Sequence, residues 1–262
     1  MAQRDANENN DKLLLDNISN IIKEVIEPTS VDVSSIVMND ELSPILWIGD
    51  TMIEDIRETL LRNVKQFIEF SELQTLKFTD IILTGSMANY NYGDKSDIDI
   101  HIVLDFTQLS DDDEFVNDYL KIKSMLWTNN VPAKIGGHYI EYYFQNKNDV
   151  VHSSGVYSIY KNKWIRKPLK KIINIDTNNI KLKTAYYINK IEDLENTEDL
   201  NAFNEKYKIL KHKIKRFRQT GLDKSGEYSP ENLVFKILRN NGYLDKLVNL
   251  RNDRLSNELS ID

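Results

Sequence analysis

The chain contains no cysteine. Disulfides, thiolate zinc sites, iron–sulfur clusters and cysteine nucleophiles are therefore excluded together, and the composition suits a reducing compartment such as the cytoplasm. Long apolar runs are missing as well. No stretch reaches the roughly 18 apolar residues that a spanning helix requires, and the opening MAQRDANENNDK lacks the apolar centre of a secretory signal. No membrane partner is expected. Glycine and proline are sparse, nine and five in 262 residues, which excludes a collagen-like chain. Neither a Walker A loop nor a dinucleotide-binding glycine fingerprint occurs, so P-loop NTPase, Rossmann dehydrogenase and protein kinase readings fall away. A nucleophile elbow is also absent.

What remains is a chain with 40% hydrophobic and 29% charged residues. That supports a sizeable core in one large or two modest domains. The net charge of −7 is unevenly spread. Residues 1–160 carry 12 basic and 27 acidic side chains, and residues 161–262 carry 22 and 14. A carboxylate-rich first part suits metal ions, and a basic last part suits phosphate or another polyanion.

Periodicity divides the chain further. Residues 1–41 read as a polar tail and a helix at 13–27, ended by Pro28. A helix is expected at 51–70 with Asp50 as its N-cap, and strands at 80–84, 98–104, 138–144 and 156–160. The acidic run 111–114 supplies the cap and first turn of a helix at 114–128. Residues 161–176 read as a basic linker. Helices are expected at 178–196 and 199–219, then after Ser229-Pro230 up to Asn241-Gly242, with a short helix last. The expected fold is α+β: a mixed sheet of four or five strands packed by helices on one face (42–176), followed by a helical domain (177–262), with an active site in the cleft between them.

The chemistry concentrates in one segment. The strand at 80–84 runs into Gly85-Ser86, and twelve residues later comes Asp97-Ile98-Asp99. A glycine lets the backbone approach a ligand closely. Ser86 is expected to cap a short helix whose N-terminus suits phosphate. Residues two apart in a strand share a face, so Asp97 and Asp99 project together. Two ionised carboxylates so placed call for a cation, and oxygen ligands facing phosphates suit Mg²⁺. Glu141, in a strand between Ile140 and Tyr142, is the expected third carboxylate, with Asp105 and Asp149 as competitors.

The Gly-Ser…Asp-x-Asp arrangement resembles the signature of the DNA polymerase β-type nucleotidyltransferase superfamily. Further segments, among them IEYYFQN and SPENLVFKILRNNGYL, are similar to predicted nucleotidyltransferases encoded by large tailed bacteriophages. The superfamily motif covers residues 81–145, and the second likeness most of 42–250. The resemblance implies a polymerase-β-like sheet and a triphosphate held at Gly85 and Ser86. It implies two Mg²⁺ ions (or Mn²⁺) on Asp97 and Asp99, with Glu141 sharing one of them or acting as a base. It implies transfer of an NMP from an NTP, ATP being the guess, to a hydroxyl acceptor with loss of pyrophosphate. The favoured acceptor is RNA, tRNA or a protein. The alternatives are a small-molecule or second-messenger synthase and a non-catalytic NTP-binding module. A phage-encoded enzyme would work in the host cytoplasm.

Other residues keep two readings each. Tyr90 and Tyr92 either stack a base or pack a loop. His101 shares the face of Asp99 and either meets substrate or packs in the strand. Residues 152–155 form either a phosphate contact or a turn. The lysines of 206–218 are a solvated face, or Lys208 or Lys211 reaches a triphosphate or an RNA.

Overall fold

The computed structural model describes residues 26–34, 36, 38–170 and 175–260. The chain divides into two compact units, Ile36–Ile173 and Asn174–Asp262 together with Met1–Ser35. The helix expected at 13–27 lies, as far as residue 25, outside the described residues; Ile26 and Glu27 are not helical, and a 3-10 turn Pro28–Ser30 follows.

The first unit is α+β and is built on a mixed sheet. A small hairpin, β1 (Trp47–Ile48) and β2 (Thr51–Met52), precedes helix α1 (Glu54–Phe70). Strands β3 (Phe78–Thr84) and β4 (Ile98–Leu104) are antiparallel neighbours. Helix α2 (Asp113–Asn130) then carries the chain to β5 (Lys134–Ile135) and β6 (His138–Asn146). Strand β6 lies parallel to β4, as a crossover through a helix allows. Strands β7 (Val156–Ser158) and β8 (Lys163–Arg166) complete the order β5-β6-β4-β3-β7-β8.

Period-two alternation decides which face is core. In β4 the side chains Ile98, Ile100, Ile102 and Leu104 are fully buried, while Asp99, His101 and Val103 alternate with them. Helix α1 buries Leu60, Val64 and Phe67, spaced at helical period, and α2 buries Val116, Leu120 and Trp127. The Phe67 ring meets Trp127 at 5.8 Å and Tyr142 of β6 at 5.2 Å between centroids. Both helices thus cover one face, and the acids belong to the other.

Three local expectations need correction. Asp50 does not cap α1. The preceding residues turn back as the β1–β2 hairpin, Ile53 is the N-cap, and the Asp50 carboxylate pairs with Lys167. Asp112 does cap α2, accepting from the Phe115 N–H at 3.0 Å. The sheet has six strands among the described residues, because Lys134–Ile135 pairs as β5 and residues 163–166 form β8 within the expected linker. The last helix is long, at 17 residues.

The second unit is helical. It holds α3 (Thr177–Glu195), α4 (Leu200–Ser225), α5 (Pro230–Asn240) and α6 (Tyr243–Leu259). Asp176, Asp199 and Ser229 cap the first three of these through side-chain oxygens. Asn189 of α3 bonds both main-chain polar groups of Ile26, tying the described N-terminal residues to this unit. No helix among the described residues is long and apolar enough to cross a membrane.

Candidate active site

The register of three adjacent strands assembles the site. Thr84, the last residue of β3, pairs with Asp99, and Asp99 pairs with Glu141. One row of the sheet therefore reads Thr84–Asp99–Glu141. The next row on the same face reads Ile82–His101–Tyr143. Asp97 lies one residue ahead of β4.

Gly85 follows Thr84 with φ 73° and ψ −160°, a conformation essentially closed to other residues. A Cβ there would stand 2.0 Å from Asp99 Oδ2. The missing side chain is what lets the Asp99 carboxylate lie over the turn. The turn continues as a three-residue 3-10 segment, Ser86–Ala88, whose N-cap is Gly85 rather than Ser86. The Ser86 hydroxyl instead donates to Ser96 Oγ at 2.8 Å, and Ser96 Oγ also accepts from the Gly93 N–H at 2.9 Å. His138 Nδ1 contacts the Ser96 carbonyl at 2.6 Å. Ser96 thus ties the Gly-Ser turn to the approach of Asp97. Its only sequence signal is a small polar residue immediately before the first aspartate.

A second loop supports the turn. The Gly85 N–H donates to Ser153 Oγ at 3.3 Å, Ser154 Oγ accepts from the Asn89 amide, and Arg166 of β8 donates to the Val151 and Ser153 carbonyls. Gly155 fits because a Cβ there would fall 1.8 Å from the Ala88 carbonyl oxygen. From the other side Trp47 Nε1 donates to the Met87 carbonyl at 2.9 Å. The hydroxyls of Ser153 and Ser154 therefore hold the turn.

The acids share one electrostatic neighbourhood. The Tyr143 hydroxyl donates to Glu141 Oε2. Burial raises the Tyr143 phenol above the usual tyrosine range, and the hydrogen bond to Glu141 and the charges of Glu141, Asp99 and Asp97 raise it further. The ring of His101 lies 5.0 Å from that of Tyr143, and burial pushes its imidazole down to about 4. Asp105 sits at the opposite end of β4, held by Lys147 and Thr107 at about 2. Asp149 accepts from the Asn146 N–H at 3.2 Å. Of the three candidates, Glu141 alone is in register with Asp99.

Two grooves meet at Tyr143. One, of about 560 Å³, is lined by Thr84, His101, Gln145, His152 and Ser153. The other, of about 380 Å³, runs between α2 and β6 and is lined by Lys121, Thr128, Asn129 and Glu141. Tyr90 and Tyr92 pack against the core of the sheet unit, and their carbonyls accept from the Asn39 amide. Lys211 belongs to α4 of the helical unit, with its ammonium 5.7 Å from the centre of the Tyr207 ring.

Among the described residues, no three His, Asp or Glu side chains are already gathered around a common metal position. The donor chemistry nonetheless fits a hard divalent cation: Asp99 and Glu141 are cross-strand neighbours, Asp97 acts on the same phenol, and all are oxygen donors. No family model, no curated protein and no solved structure matches this chain.

Proposed function

We propose that this chain is a magnesium-dependent nucleotidyltransferase, moving an NMP from an NTP to an acceptor hydroxyl with release of pyrophosphate. The observation that carries the reading is the pairing of Asp99 with Glu141 over the gap left at Gly85. Like charges directly opposite each other weaken a sheet, so such a row is explained by a cation that it binds. The superfamily resemblance of the Gly-Ser…Asp-x-Asp segment supports the same reading.

Asp97, Asp99 and Glu141 would hold Mg²⁺, which when bound neutralises phosphate charge and makes the acceptor hydroxyl more acidic. The protein's own part is positional. The Gly85–Ser86 turn, held rigid by Ser96, Ser153 and Trp47, receives the triphosphate. The Tyr143 hydroxyl fixes the orientation of Glu141. The acceptor approaches along a groove that ends at Tyr143, and Glu141 takes its proton. The new bond joins the acceptor oxygen to the α-phosphorus while the bond from that phosphorus to the β-phosphate oxygen breaks.

The test is transfer of label. The full chain is incubated with Mg²⁺, each α-phosphate-labelled NTP in turn, and a mixture of total RNA and cell protein, beside the Asp99→Asn variant. Label moved to a resolved species by the intact chain alone supports the proposal and names both base and acceptor. NTP binding without transfer from any NTP overturns it.

A further inference from the structure

The helical unit carries a second groove, of about 570 Å³, between α3 and α4. Leu194 and Leu210 line its apolar part, and Ile209 and Tyr186 beside them are 66% and 43% exposed. Lys206 and Lys213 of α4 also line it. They are seven residues apart, which puts them on one side of the helix, about 10 Å apart along its axis.

The partners of these two lysines set them apart. Lys206 Nζ donates to Thr197 Oγ1 at 3.0 Å, and Lys213 Nζ donates to the Tyr186 hydroxyl at 2.6 Å. Among the described residues neither forms an ion pair. Lys183, Lys190 and Lys246 of the same unit each do, with Glu231, Asp193 and Glu192. Asp193 lines the groove too, but Lys190 beside it offsets its charge. A neutral hydroxyl orients an ammonium without cancelling its charge. The groove therefore presents two oriented cations without an acidic partner, one of them 4.7 Å from the centre of the half-exposed Tyr186 ring, beside an exposed aliphatic side chain. Helix α4 as a whole holds eight basic residues against two acidic ones.

That combination selects a ligand class. An acidic peptide would satisfy the ammoniums and leave the ring unused. The phosphates of a single nucleotide lie closer together than the rise of about 10 Å between the two lysines along α4. A strand of nucleic acid offers successive phosphates and flat bases together. We propose that the α3–α4 groove binds single-stranded nucleic acid, with phosphates on Lys206 and Lys213 and a base against Tyr186 and Ile209. The proposal does not rest on nucleotidyl transfer, because it uses neither the carboxylates nor an NTP.

Fluorescence anisotropy of a labelled twelve-nucleotide oligouridylate tests it, with the full chain in EDTA and no NTP, from low to moderate salt. Binding is expected, weakening steeply as salt rises. The Lys206→Gln/Lys213→Gln variant is expected to bind at least about tenfold more weakly, with a log–log salt slope shallower by about 1.4, the loss of two single-strand phosphate contacts. Tyr186→Ala is expected to weaken binding about tenfold. The charge-matched pair Lys215→Gln/Lys224→Gln, exposed on the same helix and outside the groove, is expected to stay within about threefold of the parent. Circular dichroism confirms that each variant is folded. Equal losses from both lysine pairs, displacement by UTP or polyglutamate as effective as by unlabelled strand at equal charge, or no binding at low salt would each overturn the proposal.

Discussion

Asp99 Oδ2 occupies the space that a side chain on Gly85 would fill, 2.0 Å from the ideal Cβ position. Gly85→Ala must therefore either displace the carboxylate or shift the turn. The positive φ adds strain of about 1–3 kcal/mol. Gly49→Ala is the open-space reference, because Gly49 also has a positive φ, of 59°, and nothing within 4 Å of its Cβ position. Denaturant unfolding is expected to find Gly85→Ala the more destabilised of the two. In the transfer assay Gly85→Ala is expected to be inactive while Gly49→Ala keeps its rate.

The cross-strand pairing of Asp99 with Glu141 makes a prediction of opposite sign for stability and function. Neutralising one member relieves like-charge repulsion, a gain of about 0.2–1 kcal/mol. Asp99→Asn and Glu141→Gln are each expected to raise the melting temperature in EDTA. Each is also expected to abolish the further rise that Mg²⁺ gives the parent, by mass action of a ligand binding only the folded state. A melting temperature in EDTA that falls in both variants would mark the carboxylates as structural.

Tyr143 is the residue through which Glu141 is oriented. Tyr143→Phe keeps the ring contact with His101 and removes only the hydroxyl that donates to Glu141. Hydrogen bonds to charged groups contribute about 1.5–3 kcal/mol, so transfer is expected to slow by about 10- to 100-fold. Titration of the transfer rate with Mg²⁺ is expected to show a raised half-saturation, a change that mere loosening of the sheet would not produce.

How far these features were readable from sequence differs by element. Strand β4 is legible from its start, since apolar and polar residues alternate from Ile98 to Ile102 and one register buries the isoleucines. The assignment of Glu141 depended on chain length and strand character, and the parallel register with Asp99 is a tertiary fact. Strand β8 was illegible because Lys163–Arg166 is a short, mostly exposed edge, where charge is the usual protection and no apolar alternation develops. Ser86 does not cap a helix because the segment is only a three-residue turn, and its hydroxyl has a nearer partner in Ser96. The role of Gly155 had no local signal, because what it avoids is the Ala88 carbonyl, 67 residues earlier in the chain.

His101 gives the sheet unit a pH dependence. Its imidazole is held at about 4 in the fold, against an ordinary value of 6.5. As pH falls from 6.5 towards 4, the unfolded chain takes up a proton that the folded chain refuses, so stability falls across that window. The full difference corresponds to about 3 kcal/mol at the acid end. Urea unfolding in EDTA at a series of pH values is expected to show this loss in the parent and a flatter profile in His101→Gln. Identical profiles would show that the imidazole titrates alike in both states.

Asp80 and Lys161 make an asymmetric pair. The Asp80 side chain is 7% exposed and that of Lys161 is 45% exposed, with 2.7 Å between carboxylate and ammonium. Ser158 donates to the same carboxylate at 2.6 Å, bridging β3 and β7. Removing the ammonium leaves a buried carboxylate with neutral donors only, whereas removing the negative charge leaves an ammonium that can turn to water. Burying an uncompensated charge is the more costly of the two. Lys161→Met is therefore expected to destabilise by about 1–3 kcal/mol. Asp80→Asn, which keeps shape and an acceptor for Ser158, is expected to cost less. The double variant is expected to be more stable than Lys161→Met alone, because the buried charge has gone with its partner. A double-mutant cycle by denaturant unfolding measures all three, and strict additivity would show that the carboxylate is already satisfied by Ser158 and the Ile81 N–H.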